Sequence, residues 1–239
     1  MLDLTLPTPE ENLALDEVIL DDVETGRAEE TLRFWESPTM FVVLGVSQPV
    51  RQEVREQACL RDGIPILRRC SAGGCVLQGP GCLNYSLLLS HERRLEIRTL
   101  RGSYCHILGR IARAFERRGL SLHHKGVSDL ALKGRKVSGN AQKRRRNAIL
   151  HHGTLLYGMD TDAMEKYLRE PAERPVYRGE RTHRGFVTHL PLSADELQVA
   201  VCEAFGVNSR ASHLQPWEFK AARELAHTKY ASADWTYRR

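Results

Sequence analysis

Residues 83–90, Leu-Asn-Tyr-Ser-Leu-Leu-Leu-Ser, set the tightest limit on what this chain can fold into. The run is short and its alternation is imperfect, so it reads as a strand buried on both faces, which requires cover on each side of a sheet. Helices to supply that cover are written nearby. Thr8-Pro9-Glu10-Glu11 is a helix start: Thr8 caps, Pro9 sits in the first turn and Glu11 completes a capping box. That helix runs through Leu15, Val18, Ile19 and Val23 and stops at Gly26. Tyr104, Ile107, Leu108, Ile111 and Phe115 fall on one helical stripe ended by Gly119. Ser193-Ala194-Asp195-Glu196 opens another capped helix, to Phe205 and Gly206, and a short helix follows Pro216.

Further strands are predicted at 31–36, 41–45, 64–69 and 149–157, with a polar helix at 51–62. Lys133-Gly134 makes a hairpin between 130–132 and 135–139. Strands and helices mix without a regular β-α-β rhythm. The expected fold class is therefore α/β (α+β), a mixed β-sheet flanked by helices. Leu190-Pro191 is the one candidate break, giving a domain over 1–190 and a short helical extension over 191–239.

A chain of 239 residues can bury its core without disulfide staples. Its six cysteines form no C-x-x-C pair, and none has a histidine at zinc-finger spacing; Cys105 and Cys202 lie in helical patterns and read as packing residues. No apolar run is long enough to cross a bilayer and the N-terminus lacks a secretory pattern, so a cytoplasmic protein with no membrane partner is expected. The net charge of +5 suits an anionic ligand or an acidic protein as well as nucleic acid. Lys143-Arg144-Arg145-Arg146 is a basic run, but no aromatic residues interleave with it, so it reads as a solvated loop and nucleic acid is not expected.

Three segments carry possible chemistry. The 64–69 strand delivers Arg68-Arg69 into Cys70-Ser71-Ala72-Gly73-Gly74, where small residues allow close backbone approach and arginine offers paired donors to phosphate or carboxylate. The spacing is neither a Walker loop nor a dinucleotide fingerprint. On residue types alone it reads equally as an anion cradle or as a glycine-rich turn with solvated arginines. Lys136, in Gly134-Arg135-Lys136-Val137-Ser138-Gly139-Asn140-Ala141-Gln142, is a point charge followed by small residues. His151-His152-Gly153-Thr154 lies in a strand, so the two histidines face opposite sides.

Taken in order, these segments together with Leu83-Asn84-Tyr85-Ser86 and Ser128-Asp129-Leu130 resemble the lipoate–protein ligase family. The resemblance runs from about Asn12, with Leu13-Ala14-Leu15-Asp16-Glu17, to Leu192, and the ending Lys229-Tyr230 … Trp235-Thr236-Tyr237-Arg238 looks like the family's accessory tail. It implies the biotin/lipoate protein ligase catalytic fold, related to class II aminoacyl-tRNA synthetases. It also implies a reaction: ATP and lipoate or octanoate give an acyl-AMP, and the acyl group passes to a lysine of an acceptor protein.

Carried over by position, Arg69 and the backbone of Gly74, Cys75, Val76 and Leu77 would hold the nucleotide and its phosphates. Lys136 would contact the acyl carbonyl and the α-phosphate. Asp129 would lie by the adenylate or a magnesium ion. Ser71, Gly73, Asn84, Ser138, Gly139, Ala141, His152 and Gly153 would line the lipoate side. ATP and Mg²⁺ are the implied substrate and activator. The implied acceptor is an acidic lipoyl domain, as in dehydrogenase complexes, or a glycine-cleavage-H-like protein.

The chain departs from the family pattern in three places. Ala72 stands where three glycines are common, and Val127-Ser128 where many ligases have Arg-Asn. The C-terminal region is also short: it is either a reduced accessory region or a sign that a separate accessory protein supplies the function. Octanoyl transferases share the fold and the lysine but add a cysteine nucleophile, before the lysine segment or further on. Residues 121–129 and 181–190 contain no cysteine, which favours the ligase. A non-catalytic lipoyl-domain binder is the alternative of another class, and the complete Lys136 motif argues against it.

Overall fold

The computed structural model describes residues 1–207 and 213–239. The elements that matter to the site are β1 (Leu2–Asp3), α1 (Pro9–Glu24), β2 (Thr31–Trp35), β3 (Phe41–Leu44), α2 (Val50–Glu53), α3 (Glu56–Arg61), β4 (Ile66–Arg68), β5 (Val76–Gln78) and β6 (Cys82–Ser90). They continue with α4 (Leu100–Glu116), β7 (Leu122–Lys125), β8 (Asp129–Leu132), β9 (Arg135–Arg144), β10 (Ala148–Leu156), α5 (Thr161–Tyr167) and α6 (His183–Phe186). The chain closes with α7 (Ala194–Phe205), α8 (Pro216–Leu225) and α9 (Ala233–Thr236).

Seven strands form a mixed sheet in the order β1-β2-β6-β10-β9-β8-β7, and β4-β3-β5 form a small second sheet. The 83–90 run is indeed interior: β6 pairs with β2 and β10 and is buried along both faces. Leu83, Tyr85, Leu87 and Leu89 face a core shared with Ile107, Leu108 and Ile111 of α4 and Leu197, Ala200 and Val201 of α7. On the other face Leu88 meets Leu15, Ile19 and Leu20 of α1 and Ala222 of α8.

Both predicted capping boxes form, Thr8 with Glu11 and Ser193 with Glu196. Lys133 and Gly134 take the positive-φ conformations that their hairpin requires, at 50° and 75°. The 191–239 segment does not stand apart, since α7 shares the main core and α8 packs on α1; residues 208–212 of that segment lie outside the described residues.

Two local expectations need correction. The predicted helix at 51–62 is broken: Val54 leaves it to bridge Leu168, and the Arg55 N–H donates to Tyr167 O at 2.9 Å. Cys105 is exposed rather than packed. It lies about 100° round α4 from Tyr104, just outside the buried arc.

Candidate active site

Two elements converge on one region, the loop after β4 and the start of β9. The adjacent arginines of the loop point different ways. Arg68 turns to the C-terminal tail: Nη1 donates to Gly45 O (2.8 Å) and Gln48 O (2.7 Å), and Nη2 to Thr236 O (2.6 Å). Trp235 Nε1 returns a bond to Arg68 O at 2.8 Å. Arg69 turns inward and staples its own loop, donating from Nε to Ser71 Oγ (2.9 Å) and from Nη2 to Ala72 O (2.7 Å) and Gly74 O (2.9 Å). Burial pushes this guanidinium down to about 10.

The loop stacks tightly on the end of β3. A Cβ on Gly45 would lie 1.9 Å from Gly73 O, and Gly73 itself has φ +94°. Ala72, which replaces a glycine of the family pattern, is unstrained: Lys133 is the sole non-glycine with positive φ among the described residues.

A β-bulge aims the lysine. β8 pairs Leu130 with Ser138 but Ala131 with Lys136, so Val137 is an extra residue in β9. In a regular strand Lys136 and Gly139 would face opposite sides. With the bulge they share a side, and Lys136 reaches over Gly139 to its cross-strand partner Asp129. Lys136 Nζ lies 2.6 Å from Asp129 Oδ1, and a Cβ on Gly139 would sit 2.9 Å from Lys136 Cε and Nζ. Asp129 Oδ2 accepts the Tyr177 hydroxyl at 2.8 Å. Burial, then the neighbouring Asp129 charge, raise the Tyr177 phenol well above its ordinary range.

The histidines of β10 divide by face. His152 Nε2 lies 2.6 Å from Ser71 Oγ, and its Nδ1 lies 3.5 Å from Asp16 Oδ2. Asp16 is buried, which alone would raise its carboxyl. Arg33 at 2.6 Å, His152, and the Ser86 hydroxyl at 2.6 Å outweigh that and keep it below the usual range, and so ionised. His151 is fully buried on the α4 side, 3.1 Å from Gln142 Nε2, and burial lowers it to about 3. Asn140 ties the two faces together: Oδ1 accepts from the Tyr85 hydroxyl, and Nδ2 donates to Ser128 O at 2.7 Å. A Cβ on Gly153 would stand 1.8 Å from that Asn140 oxygen.

Two adjoining cavities result. The smaller, about 120 Å³, is lined by Arg69, Gly74, Cys75, Val76, Asn84, Lys136, Gly139, Ala141, His152 and Gly153 of the predicted residues, with Gln78, Asn140 and Thr154 besides. The larger, about 420 Å³, takes in Leu77 and Asp129 and is walled by Arg169, Arg174, Arg178, His183 and Phe186. Lys136, Gly139, Gly74, Cys75 and Val76 line both. Ser71, Gly73 and Ser138 line neither: Ser71 stands behind His152, and Ser138 Oγ accepts from Asn140 at 3.1 Å.

Sequence reasoning singled out neither Asp16 nor Tyr177 for the site. Asp16 carried one signal, a carboxylate one turn after Asn12 on the helix face that also carries Ile19 and Leu20. Tyr177 carried none, because the wall that holds it has no periodic pattern. Both Asp129 oxygens are engaged, by Lys136 and Tyr177, and no group of three metal-ligating side chains occurs among the described residues.

The model of the lipoyl protein ligase A/B catalytic domain matches residues 8–206. The chain belongs to that family. It is 26% identical to the octanoyltransferase LipM of Brevibacillus brevis, over 97% of this chain and 96% of the relative. Its fold superposes on a bi-partite lipoate protein ligase from Thermoplasma acidophilum, described with its E2 lipoyl domain. The TM-score is 0.84 at 25% identity, covering 99% of this chain and 95% of that one. Lipoate-protein ligase A bound with ATP gives a TM-score of 0.83 at 24% identity, covering 99% and 98%. Membership makes the chain a lipoate ligase/octanoyltransferase family enzyme. Among the described residues, no helix is long and apolar enough to cross a membrane.

Proposed function

We propose that this enzyme is an ATP-dependent lipoate– or octanoate–protein ligase. One observation carries the reading: Lys136 stands where a small cavity beside His152, Asn84 and Ala141 meets a larger one walled by Arg169, Arg174 and Arg178. A carboxylate cannot approach a triphosphate unless a fixed cation meets both, and Lys136 is the cation at that junction. The acyl acid would occupy the smaller cavity and the nucleotide the larger. The carboxylate oxygen attacks the α-phosphorus and pyrophosphate leaves. The acceptor lysine's free amine then attacks the acyl carbon, AMP departs and an amide remains.

Lys136 would donate to the acyl carbonyl and to an α-phosphate oxygen as charge gathers there. Arg69 would act through the Ser71–Gly74 backbone that it holds. Magnesium would come with the triphosphate and screen the leaving pyrophosphate. An acidic lipoyl domain suits the net charge of +5. A neighbour described with its E2 lipoyl domain supports an acceptor of that type, and its bi-partite nature supports an accessory chain.

A second reading has its own support. Cys75 lines both cavities, and the LipM relative is an octanoyltransferase. In that reaction the Cys75 thiolate would take the octanoyl group from a carrier thioester, releasing the carrier thiol, and then pass it to the lysine amine. Burial raises the Cys75 thiol far above its ordinary range, and nearby Arg69 offsets only part of this, so the thiolate is disfavoured. Exchange of labelled pyrophosphate into ATP separates the two. Lipoate- or octanoate-dependent exchange that survives Cys75→Ser supports the ligase. No exchange, with octanoyl transfer abolished by Cys75→Ser in a folded protein, establishes the transferase.

A further inference from the structure

The 169–187 wall of the larger cavity is pinned at both ends and looser between them: at its start Arg169 N donates to Glu53 O at 2.8 Å and Arg169 Nε to Val54 O at 3.2 Å. Its far end is sewn to β9 by one backbone and one side-chain bond: Thr188 N donates to Lys136 O at 2.8 Å, and Arg135 Nη2 donates to Val187 O at 2.6 Å. Val187 also bridges Lys136 in parallel. Its near limb is more exposed, with Ala172, Glu173, Arg174, Val176, Gly179 and Glu180 all open to solvent. That limb reaches the reactive pair through one side chain, Tyr177.

The Tyr177 ring rests on Phe186, with centroids 5.0 Å apart, and a Cβ on Gly126 would come within 3.9 Å of it. Its hydroxyl meets Asp129 Oδ2 at 2.8 Å, while Oδ1 of the same carboxylate holds Lys136 Nζ at 2.6 Å. A carboxylate bonded through one oxygen can rotate and carry the lysine with it; one held through both oxygens cannot do so without breaking a bond.

We propose that Tyr177 is a positioning residue: its hydroxyl fixes Asp129, which holds Lys136 at the junction of the two cavities, and so couples the seating of the 169–187 wall to the reactive lysine. This deepens the functional reading above and rests on it for its kinetic part. The wall is thereby a clasp. While it is seated, Lys136 is aligned; when its near limb lifts, Asp129 loses its second anchor and the lysine loses its aim.

Tyr177→Phe keeps the ring against Phe186 and removes the hydroxyl alone, so the fold should survive and the melting temperature should be unchanged. The expected kinetic result is about a tenfold fall in kcat for acyl-dependent pyrophosphate exchange, with KM for octanoate within about twofold. In an Asp129→Asn background the same change should cost less than about twofold, because its target is already gone. Independent, multiplying effects would overturn the proposal, as would an unaltered kcat in Tyr177→Phe.

A second arm needs no turnover. Glutamyl endopeptidase should cut the full-length Tyr177→Phe protein after Glu173 and Glu180, both exposed on the near limb, several-fold faster than the wild type, with cleavage elsewhere unchanged. Equal cleavage rates would overturn the clasp. If the wild type shows no exchange at all, the ligase reading fails while the cleavage arm still decides the role of Tyr177.

Discussion

On the loop side of the cavities the charged groups are spent on the protein itself, whereas on the β9 side they are held by groups that a substrate can displace. Arg69 gives its donors to Ser71, Ala72 and Gly74, and Arg68 gives its donors to Gly45, Gln48 and Thr236. Backbone carbonyls fixed by the fold cannot follow a departing guanidinium, so these bonds are permanent. Lys136 faces a single carboxylate and keeps 24% of its side chain exposed. An incoming anion can share its ammonium without leaving a buried group unpaired. The same residue class thus builds a rigid wall on one side and an exchangeable charge on the other.

Lys136→Ala tests the exchangeable side and carries the largest expected effect. Loss of the one cation at the junction should lower the initial rate by about 10³-fold, the scale on which a lost transition-state donor acts. The thermal melt should move little, because the lysine is partly solvated. A large fall in melting temperature with a modest rate loss would erase the contrast.

Arg69→Met tests the rigid side and should show the reverse signature. It removes the donor to the buried Ser71 hydroxyl and to the carbonyls of the exposed Ala72 and Gly74, a cost of about 2 kcal/mol in urea unfolding. Any rate loss should then be recovered in part by conditions that restore stability, such as lower temperature. A stable but inactive Arg69→Met protein would instead assign this arginine to the substrate.

Gly139→Ala sharpens the comparison with a smaller change. The added methyl would sit 2.9 Å from Lys136 Cε and Nζ. The lysine's flexible end gives way, so stability should hold while kcat falls roughly 10-fold, a misplacement effect. Activity equal to the wild type would show that the lysine's resting position over Gly139 does not matter to turnover.

How much of this was legible in sequence depended on whether the deciding contact was local. The capping boxes at Thr8 and Ser193, the Lys133-Gly134 hairpin and the interior strand at 83–90 are written in neighbouring residues, and all of them form. The broken 51–62 helix is decided by residues 167 and 168, more than a hundred positions away. Strands β5 and β7 and helices α5 and α6 also went unread, because at three to seven residues each is too short to show a period. At the site, the residue types around Arg69 and Lys136 suggested charge next to close backbone. They could not show that the arginine's acceptors are its own loop carbonyls, or that a bulge at Val137 swings the lysine onto Asp129. Tyr177 enters from a wall without pattern, and only the folded chain brings it near.

The paired histidines of β10 share a strand but not an environment. His152 borders the smaller cavity, whereas His151 is sealed beside Tyr85, Tyr104 and Gln142, and burial lowers it from 6.5 to about 3. In the unfolded chain the same imidazole takes up a proton near its ordinary pKa. Between those two values the unfolded state binds a proton that the native state refuses, so stability falls as pH is lowered through this window. The contribution is fully present above about pH 6.5 and is lost at about 1 kcal/mol or slightly more per pH unit below it. Unfolding free energies from urea titrations at pH 7 and pH 5 should therefore differ by about 2 kcal/mol from this residue alone. His91, His106 and His183 are also lowered, by burial first in each case, and add to the wild-type slope. The contribution of His151 is isolated by difference. His151→Gln, which keeps a hydrogen-bonding amide near Gln142 but cannot protonate, should flatten the stability profile between pH 5 and 7 by that amount. Asp16 does not confuse the measurement, because its carboxyl is held below the usual range and so titrates below this interval. An unchanged slope in His151→Gln would mean that His151 accepts its proton in the folded state, and the Tyr85–His151–Gln142 cluster would then be a solvated pocket instead of a sealed wall behind the site.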